Sequence, residues 1–383
     1  MENISYHKKN NYQLIMLVLL SITIGSCYSI ETDCTDCIEI PIAHGPLPPI
    51  LPAEGFWEPI VDSPFMVYVM ACDANGNLWA VDATSSNVLY YYNGTSWQLI
   101  SRLEEMVYAI AVAPNGDIYI VKNSSLQKST DGGNIWNTVF NFNAIEKNKL
   151  AEIVISPSGE VYFATSNNVY VPNGSSWKRA TTNELPGTFS SPIALSSNGA
   201  LYVVYKRTYS DEYYIVRSTD AGNSWFRSTN FFNDALSRII VVDNNTIFVA
   251  AGSNGILKFT DGNRSWNRCD PIIPGRITIT RDIIYDSKTK TLFADLYGYP
   301  FPTTWNVLIS NDLGESWEVL NDGLDTEPNR LLGPYCFTYN SITGDTYLRV
   351  GIGYLVEVTD SINFGPVYRY VQYPYKLIVG SSL

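Results

Sequence analysis

The sequence predicts an all-β fold, a seven-bladed β-propeller of four-stranded antiparallel blades. Two spacings carry this expectation. Trp57, Trp97, Trp136, Trp177, Trp225, Trp266 and Trp317 follow one another at intervals of 40, 39, 41, 48, 41 and 51 residues, the repeat length of a propeller blade. Between them recurs an apolar strand, a Gly or Asn turn and a second strand. There are seven such units, starting near Met70, Ile110, Ile153, Ile193, Ile240, Ile283 and Phe337. Composition agrees, since 27 Tyr, 9 Trp and 26 Gly suit many short strands joined by regular turns. A chain of 383 residues suggests two or three domains by length alone, but repeats add to one closed body.

The N-terminal segment, residues 1–26, reads as an export signal. Lys8 and Lys9 precede the apolar run Leu14–Ile24, too short for a comfortable membrane span and suited to a signal-peptide core. The run ends in Ile24-Gly25-Ser26-Cys27, which resembles a bacterial lipobox. The resemblance implies cleavage before Cys27, lipidation of its thiol and attachment to a membrane through the acyl chains. Residues 27–55 read as a tether, acidic at Glu31, Asp33 and Asp36 and then stiffened by Pro41, Pro46, Pro48, Pro49 and Pro52. An acidic start of this kind resembles the surface-export signal of Bacteroidetes-type lipoproteins. An outer-membrane lipoprotein is expected, on the periplasmic or the external side. Cys34 and Cys37 are a candidate local disulfide, while Cys72, Cys269 and Cys336 stand singly and suit buried apolar positions.

Residues 56–383 form the expected propeller. Formal net charge is −12, and Lys8 and Lys9 against Glu2 leave −13 beyond residue 26. That charge disfavours nucleic acid. The only His, His7 and His44, precede the folded body, so neither a His-based triad nor a His-ligated zinc site is expected within it. No cofactor or metal is implied, and a monomer is expected.

Three of the Trp close a full Ser-x-Asp-x-Gly-x-x-Trp box, at Ser129–Trp136, Ser218–Trp225 and Ser310–Trp317. A degenerate copy runs Thr260-Asp261-Gly262 to Trp266, and shortened ones occupy Asn93–Trp97 and Asn173–Trp177. Within a box Asp131, Asp220 and Asp312 suit turns that accept backbone amides, Gly supplies positive φ, and Trp136, Trp225 and Trp317 suit wedges between blades. The box resembles the Asp-box, or BNR, repeat of sialidases, two-domain xyloglucanases, sortilin-type receptors and photosystem II assembly-factor-like propellers, over about residues 56–360. Trp57 has no box before it. Either its strand or Val367–Val371 is expected to close the last blade.

Inner strands line a propeller channel, and the starts of these strands lie on the face opposite the boxes. Aligned on their turns, the starts read Tyr68, Tyr108, Ala151, Ser191, Arg238, Arg281 and Tyr335. Tyr68, Tyr108 and Tyr335 would stack on sugar faces, and Arg238 and Arg281 would bind a carboxylate. Blade five is ambiguous by one residue, and such a slip moves a side chain to the other face. The same face receives the loops Lys206–Glu212 and Tyr297–Trp305. The three-Arg set and the Arg-Ile-Pro motif that the sialidase resemblance would imply are missing. Glu152 and Asp282, one position inside the ring on nearly opposite blades, are the candidate hydrolase pair, across a channel expected to be wide for the roughly 5–9.5 Å such pairs need. Binding of a glycan or an envelope protein is therefore expected. Glycoside hydrolase or lyase chemistry and an assembly-factor role are the alternatives.

Overall fold

The computed structural model describes residues 56–378 apart from short connecting stretches. Side chains of residues 56–59 and of those beyond 330 lie outside the described residues, as do the signal, Cys27, the tether, Cys34 and Cys37. Among the described residues no α-helix occurs, so none crosses a membrane.

The chain enters on β1 (Phe56–Pro59). Blade one follows with β2 (Val67–Cys72), β3 (Leu78–Asp82), β4 (Val88–Tyr92) and β5 (Trp97–Arg102). Blade two holds β6 (Ala109–Val112), β7 (Ile118–Val121), β8 (Ser125–Ser129) and β9 (Asn137–Asn141). Blade three holds β10 (Glu152–Ile155), β11 (Val161–Ala164), β12 (Val169–Asn173) and β13 (Ser176–Arg179). Blade four holds β14 (Gly187–Leu195), β15 (Leu201–Arg207), β16 (Tyr213–Ser218) and β17 (Phe226–Arg227). Blade five holds β18 (Arg238–Val241), β19 (Thr246–Ala250), β20 (Ile256–Thr260) and β21 (Trp266–Arg268). In blade six, β22 (Ile277–Ile279) and β23 (Ile283–Asp286) pair in succession with β24 (Thr291–Tyr299), followed by β25 (Thr304–Ser310) and β26 (Glu318–Val319).

Each blade pairs its strands in chain order and antiparallel. Against the seven blades expected, six are complete in this way. The remaining sheet has the order β1-β29-β28-β27, with β27 (Leu331–Tyr339), β28 (Thr346–Val356) and β29 (Val367–Ile378). The two closures set against each other in the sequence are both used. β29 lies third in that sheet, and β1 pairs on its outer edge with Trp57 opposite Leu377.

The core is distributed among the blade interfaces. Trp136 packs with blade-one residues such as Leu89, Trp177 with Val121 and Leu126 of blade two, and Trp225 with Val169 and Val171 of blade three. Trp266 and Trp317 join blades four and five and blades five and six. Of the three box Trp, only Trp317 is fully enclosed, while Trp136 and Trp225 are half-buried. The box glycines explain this closeness. A Cβ at Gly133 would stand 2.9 Å from Leu89 of the preceding blade, and one at Gly222 would stand 2.9 Å from Val171. Both glycines also sit at φ above +80°, where side chains strain the backbone.

Candidate functional site

The site begins with the register of the inner strands. Glu152 opens β10 opposite Ala164, and Arg238 opens β18 opposite Ala250. Each lies three residues before the strand's end, so the two occupy one layer. Asp282 lies just before β23, and its carbonyl accepts the amide of Asp295 on the neighbouring strand. Arg238 therefore belongs with Glu152 and Asp282 rather than with Tyr108, Ala151 and Ser191. The slip has a local cause. The inner turns of blades one to four carry a positive-φ Gly, at Gly76, Gly116, Gly159 and Gly199. The Asp243–Asn245 turn of blade five has no Gly to anchor an alignment.

This layer forms a charged network across blades three to six. Arg238 Nη1 donates to Glu152 Oε1 at 2.9 Å, and its Nε lies 3.5 Å from Asp282 Oδ1. The other Glu152 oxygen accepts the Ile193 amide of blade four at 2.9 Å. One guanidinium thus spans both carboxylates. The expectation that the channel separates them too widely is corrected, because Arg238 fills the space between. Burial pushes the Glu152 carboxyl above its ordinary value, against the charge of Arg238 and the Ile193 amide.

Asp295 completes the cluster, and sequence reading missed it. Its Oδ1 accepts the amides of Arg281 and Asp282, both at 2.7 Å. These bonds bridge the gap between β22 and β23, so a side chain stands in for the strand ladder there. Its Oδ2 is buried without a hydrogen-bond partner. Burial outweighs the two amides and raises the carboxyl to about 7. The available signal was an Asp within the apolar run Leu292–Leu296, a position that a carboxylate leaves unless it is bonded.

Of the expected aromatic face, Tyr68 and Tyr108 have described side chains. Tyr108 is buried in the core between blades two and three, so its faces are closed to a sugar. Tyr68 is half-buried, and Arg281 lies one residue outside the charged layer, in the layer of Tyr108. Tyr335 stands on β27, with its side chain outside the described residues. The expected loop Lys206–Glu212 connects β15 and β16 at the tip of their hairpin and is stiffened by Lys206–Asp211 and Arg207–Glu212 ion pairs at 3.2 and 3.0 Å. Tyr205 and Tyr214 are buried at its base, whereas Tyr209 is fully exposed at its tip. The Tyr297–Trp305 loop is likewise mostly the β24–β25 hairpin. Among the described residues no group of three His, Cys, Asp or Glu has metal-binding geometry.

The boxes lie elsewhere. The antiparallel order places the turn between a blade's third and fourth strands at the end opposite the start of its first strand. In blade four the Asp220 carboxylate accepts the Ser224 hydroxyl at 2.6 Å and amide at 2.8 Å, and the Ser218 hydroxyl at 2.8 Å. These bonds hold its pKa down to about 2. Asp131 accepts the amides of Asn134 and Ile135, and Asp312 that of Ser316. The Thr260–Trp266 copy lies mostly outside the described residues.

No protein-family model matches the chain, and no curated protein matches its sequence. Solved structures do match in shape. YCF48 from Cyanidioschyzon merolae aligns at a TM-score of 0.57 and 12% identity, covering 85% of this chain and 98% of YCF48. A GH74 xyloglucanase from Xanthomonas campestris aligns at 0.59 and 14% identity, covering 78% of this chain and 53% of the enzyme. The WD40 β-propeller domain of Doa1 aligns at 0.56 and 9% identity, covering 85% and 97%. At these identities the likeness shows the fold, a β-propeller of four-stranded antiparallel blades.

Proposed function

We propose that this chain is a non-enzymatic binding propeller, tethered to the envelope through Cys27, whose ligand face lies opposite the boxes. In this reading it is a seven-bladed Asp-box propeller. β27–β28–β29–β1 is the closing blade, supported by β27 lying against both β2 and β23. The observation that carries the binding reading is the place of Arg238. A glycosidic bond must lie between two carboxyl groups to be cleaved by them, and between Glu152 and Asp282 lies a guanidinium bonded to the first and close to the second. The ligand is a glycan. Assay of a polysaccharide panel for both retention and product release tests this. Retention without release is expected, whereas turnover lost on Glu152→Gln or Asp282→Asn would establish the hydrolase or lyase alternative. Palmitate labelling that disappears on Cys27→Ala tests the anchor.

A protein partner is the second reading, favoured by Tyr209 at the tip of its stiffened hairpin. Exposed aromatics on rigid arms suit anchoring in a partner's pocket. A propeller of similar fold, YCF48, has been solved bound to a D1 peptide, and an assembly role for this chain would use such a face. Co-purification of an envelope protein that is lost on Tyr209→Ala is the expected result of this second reading.

A further inference from the structure

A cleft opens where blade three meets blade four. It encloses about 640 Å³, within the range of small-ligand sites. Its walls come from the turn after β11 (Asn167 and Asn168), the end of β13 (Arg179) and the start of β14 (Gly187, Thr188 and Phe189). β14 begins earlier than the inner strands of blades one, two, three and five, because β15 and β16 extend with it as the projecting hairpin.

The chemistry of these walls is one-sided. Arg179 is the only charged group among the described lining residues, on a chain of net charge −12. Its guanidinium makes no hydrogen bond or ion pair with a described residue, and it is exposed. Asn167 and Asn168 present carboxamides, and Thr188 a hydroxyl. Phe189 is buried beneath Trp225, with ring centroids 4.6 Å apart, so it offers shape and no open stacking face. Gly187 is closely packed from behind. A Cβ on Gly187 would lie 2.4 Å from the Tyr205 hydroxyl, and that hydroxyl is buried with no hydrogen-bond partner.

We infer that this cleft binds a short anionic saccharide of the uronic-acid class. Arg179 takes the carboxylate in a charge-assisted bond, and the two carboxamides and Thr188 meet hydroxyl groups. A peptide would need an open apolar pocket for an anchoring side chain, and among the described lining residues the one large apolar side chain, Phe189, is covered. This inference rests on the binding reading above and gives it a location and a ligand charge.

Calorimetric titration of the full chain with trigalacturonate at fixed ionic strength tests it. The acid is expected to bind, and Arg179→Gln to weaken binding roughly tenfold or more, the worth of one charge-assisted bond. Because Arg179 is exposed, the melting temperature should stay at the parent value. The methyl-esterified trimer should bind the parent protein as weakly as the acid binds the variant. Parental affinity in Arg179→Gln, or no binding of trigalacturonate, overturns the inference. If the polysaccharide panel still shows retention, the binding reading survives that failure. If tetraglutamate binds as tightly as the trisaccharide, the cleft takes acidic peptides and the saccharide assignment is wrong.

Discussion

Asp295 ties stability to pH with a definite sign. Its carboxyl is raised from an ordinary 3.8 to about 7 in the folded chain. Between those values the folded protein holds a proton that the unfolded chain releases. The contribution of this group is therefore full below about 4 and is lost as pH rises through 7. Denaturant midpoints at pH 5 and pH 8 should show a fall with pH that Asp295→Asn removes. An unchanged slope in the variant would assign the pH dependence to other groups. Arg238 makes a second prediction at this scale. Its removal strips a shared cation from Glu152 and Asp282, whose side chains are only 19% and 8% exposed. Arg238→Ala should cost about 2–4 kcal/mol in urea unfolding, somewhat less than an orphaned pair in a dry core, since Arg238 itself keeps 28% exposure.

At the scale of elements, the boxes lock each blade to the one before. Trp317 is 1% exposed, and its indole N–H donates to the Cys269 carbonyl of blade five at 2.7 Å. Trp317→Ala should therefore cost about 3–5 kcal/mol through lost burial and a cavity. Trp225 is half-buried, and its indole nitrogen has no partner, so Trp225→Ala should lower the melting temperature less. Trp317→Ala should not alter ligand binding by surviving folded protein, because its box lies at the far end of its blade, whereas Trp225 packs on Phe189. Equal melting losses in the two variants would show that burial does not set the strength of the wedge.

For the whole molecule, β1 joins the first of the described strands to the last. It pairs along Phe56–Pro59 with Ile378–Tyr375 of β29. A chain beginning at Ile60 would leave β29 with an open edge and the sheet with three strands. Lower melting temperature and concentration-dependent association are expected, since an unpaired edge invites strand addition. A truncated chain that melts like the parent would show that closure needs only β27–β29. The ring also explains how a charged network persists so far inside. Blades three, four, five and six each contribute a group to it, through Glu152, the Ile193 amide, Arg238 and Asp282, so its geometry is held by interfaces that are apolar around it.

The blades were legible in the sequence because their signals are local. A strand needs alternating apolar residues, a turn needs Gly or Asn, and a box needs Ser, Asp and Gly at fixed spacing. Each is complete within about eight residues, and all six inner hairpins whose side chains are described lie where the pattern places them. Glu152, Asp282, Arg238 and Arg281 were also legible as channel candidates, because the starts of inner strands can be counted from their turns. The count failed by one residue where blade five lacks a turn Gly, and one residue exchanges the two faces of a strand. Tertiary structure alone decided the rest. Arg238 meets a glutamate 86 residues away, Tyr108 is covered by a neighbouring blade, and Asp295 replaces a broken strand. Such contacts depend on how far each blade turns from the last, a property of packed interfaces that no short stretch of sequence encodes.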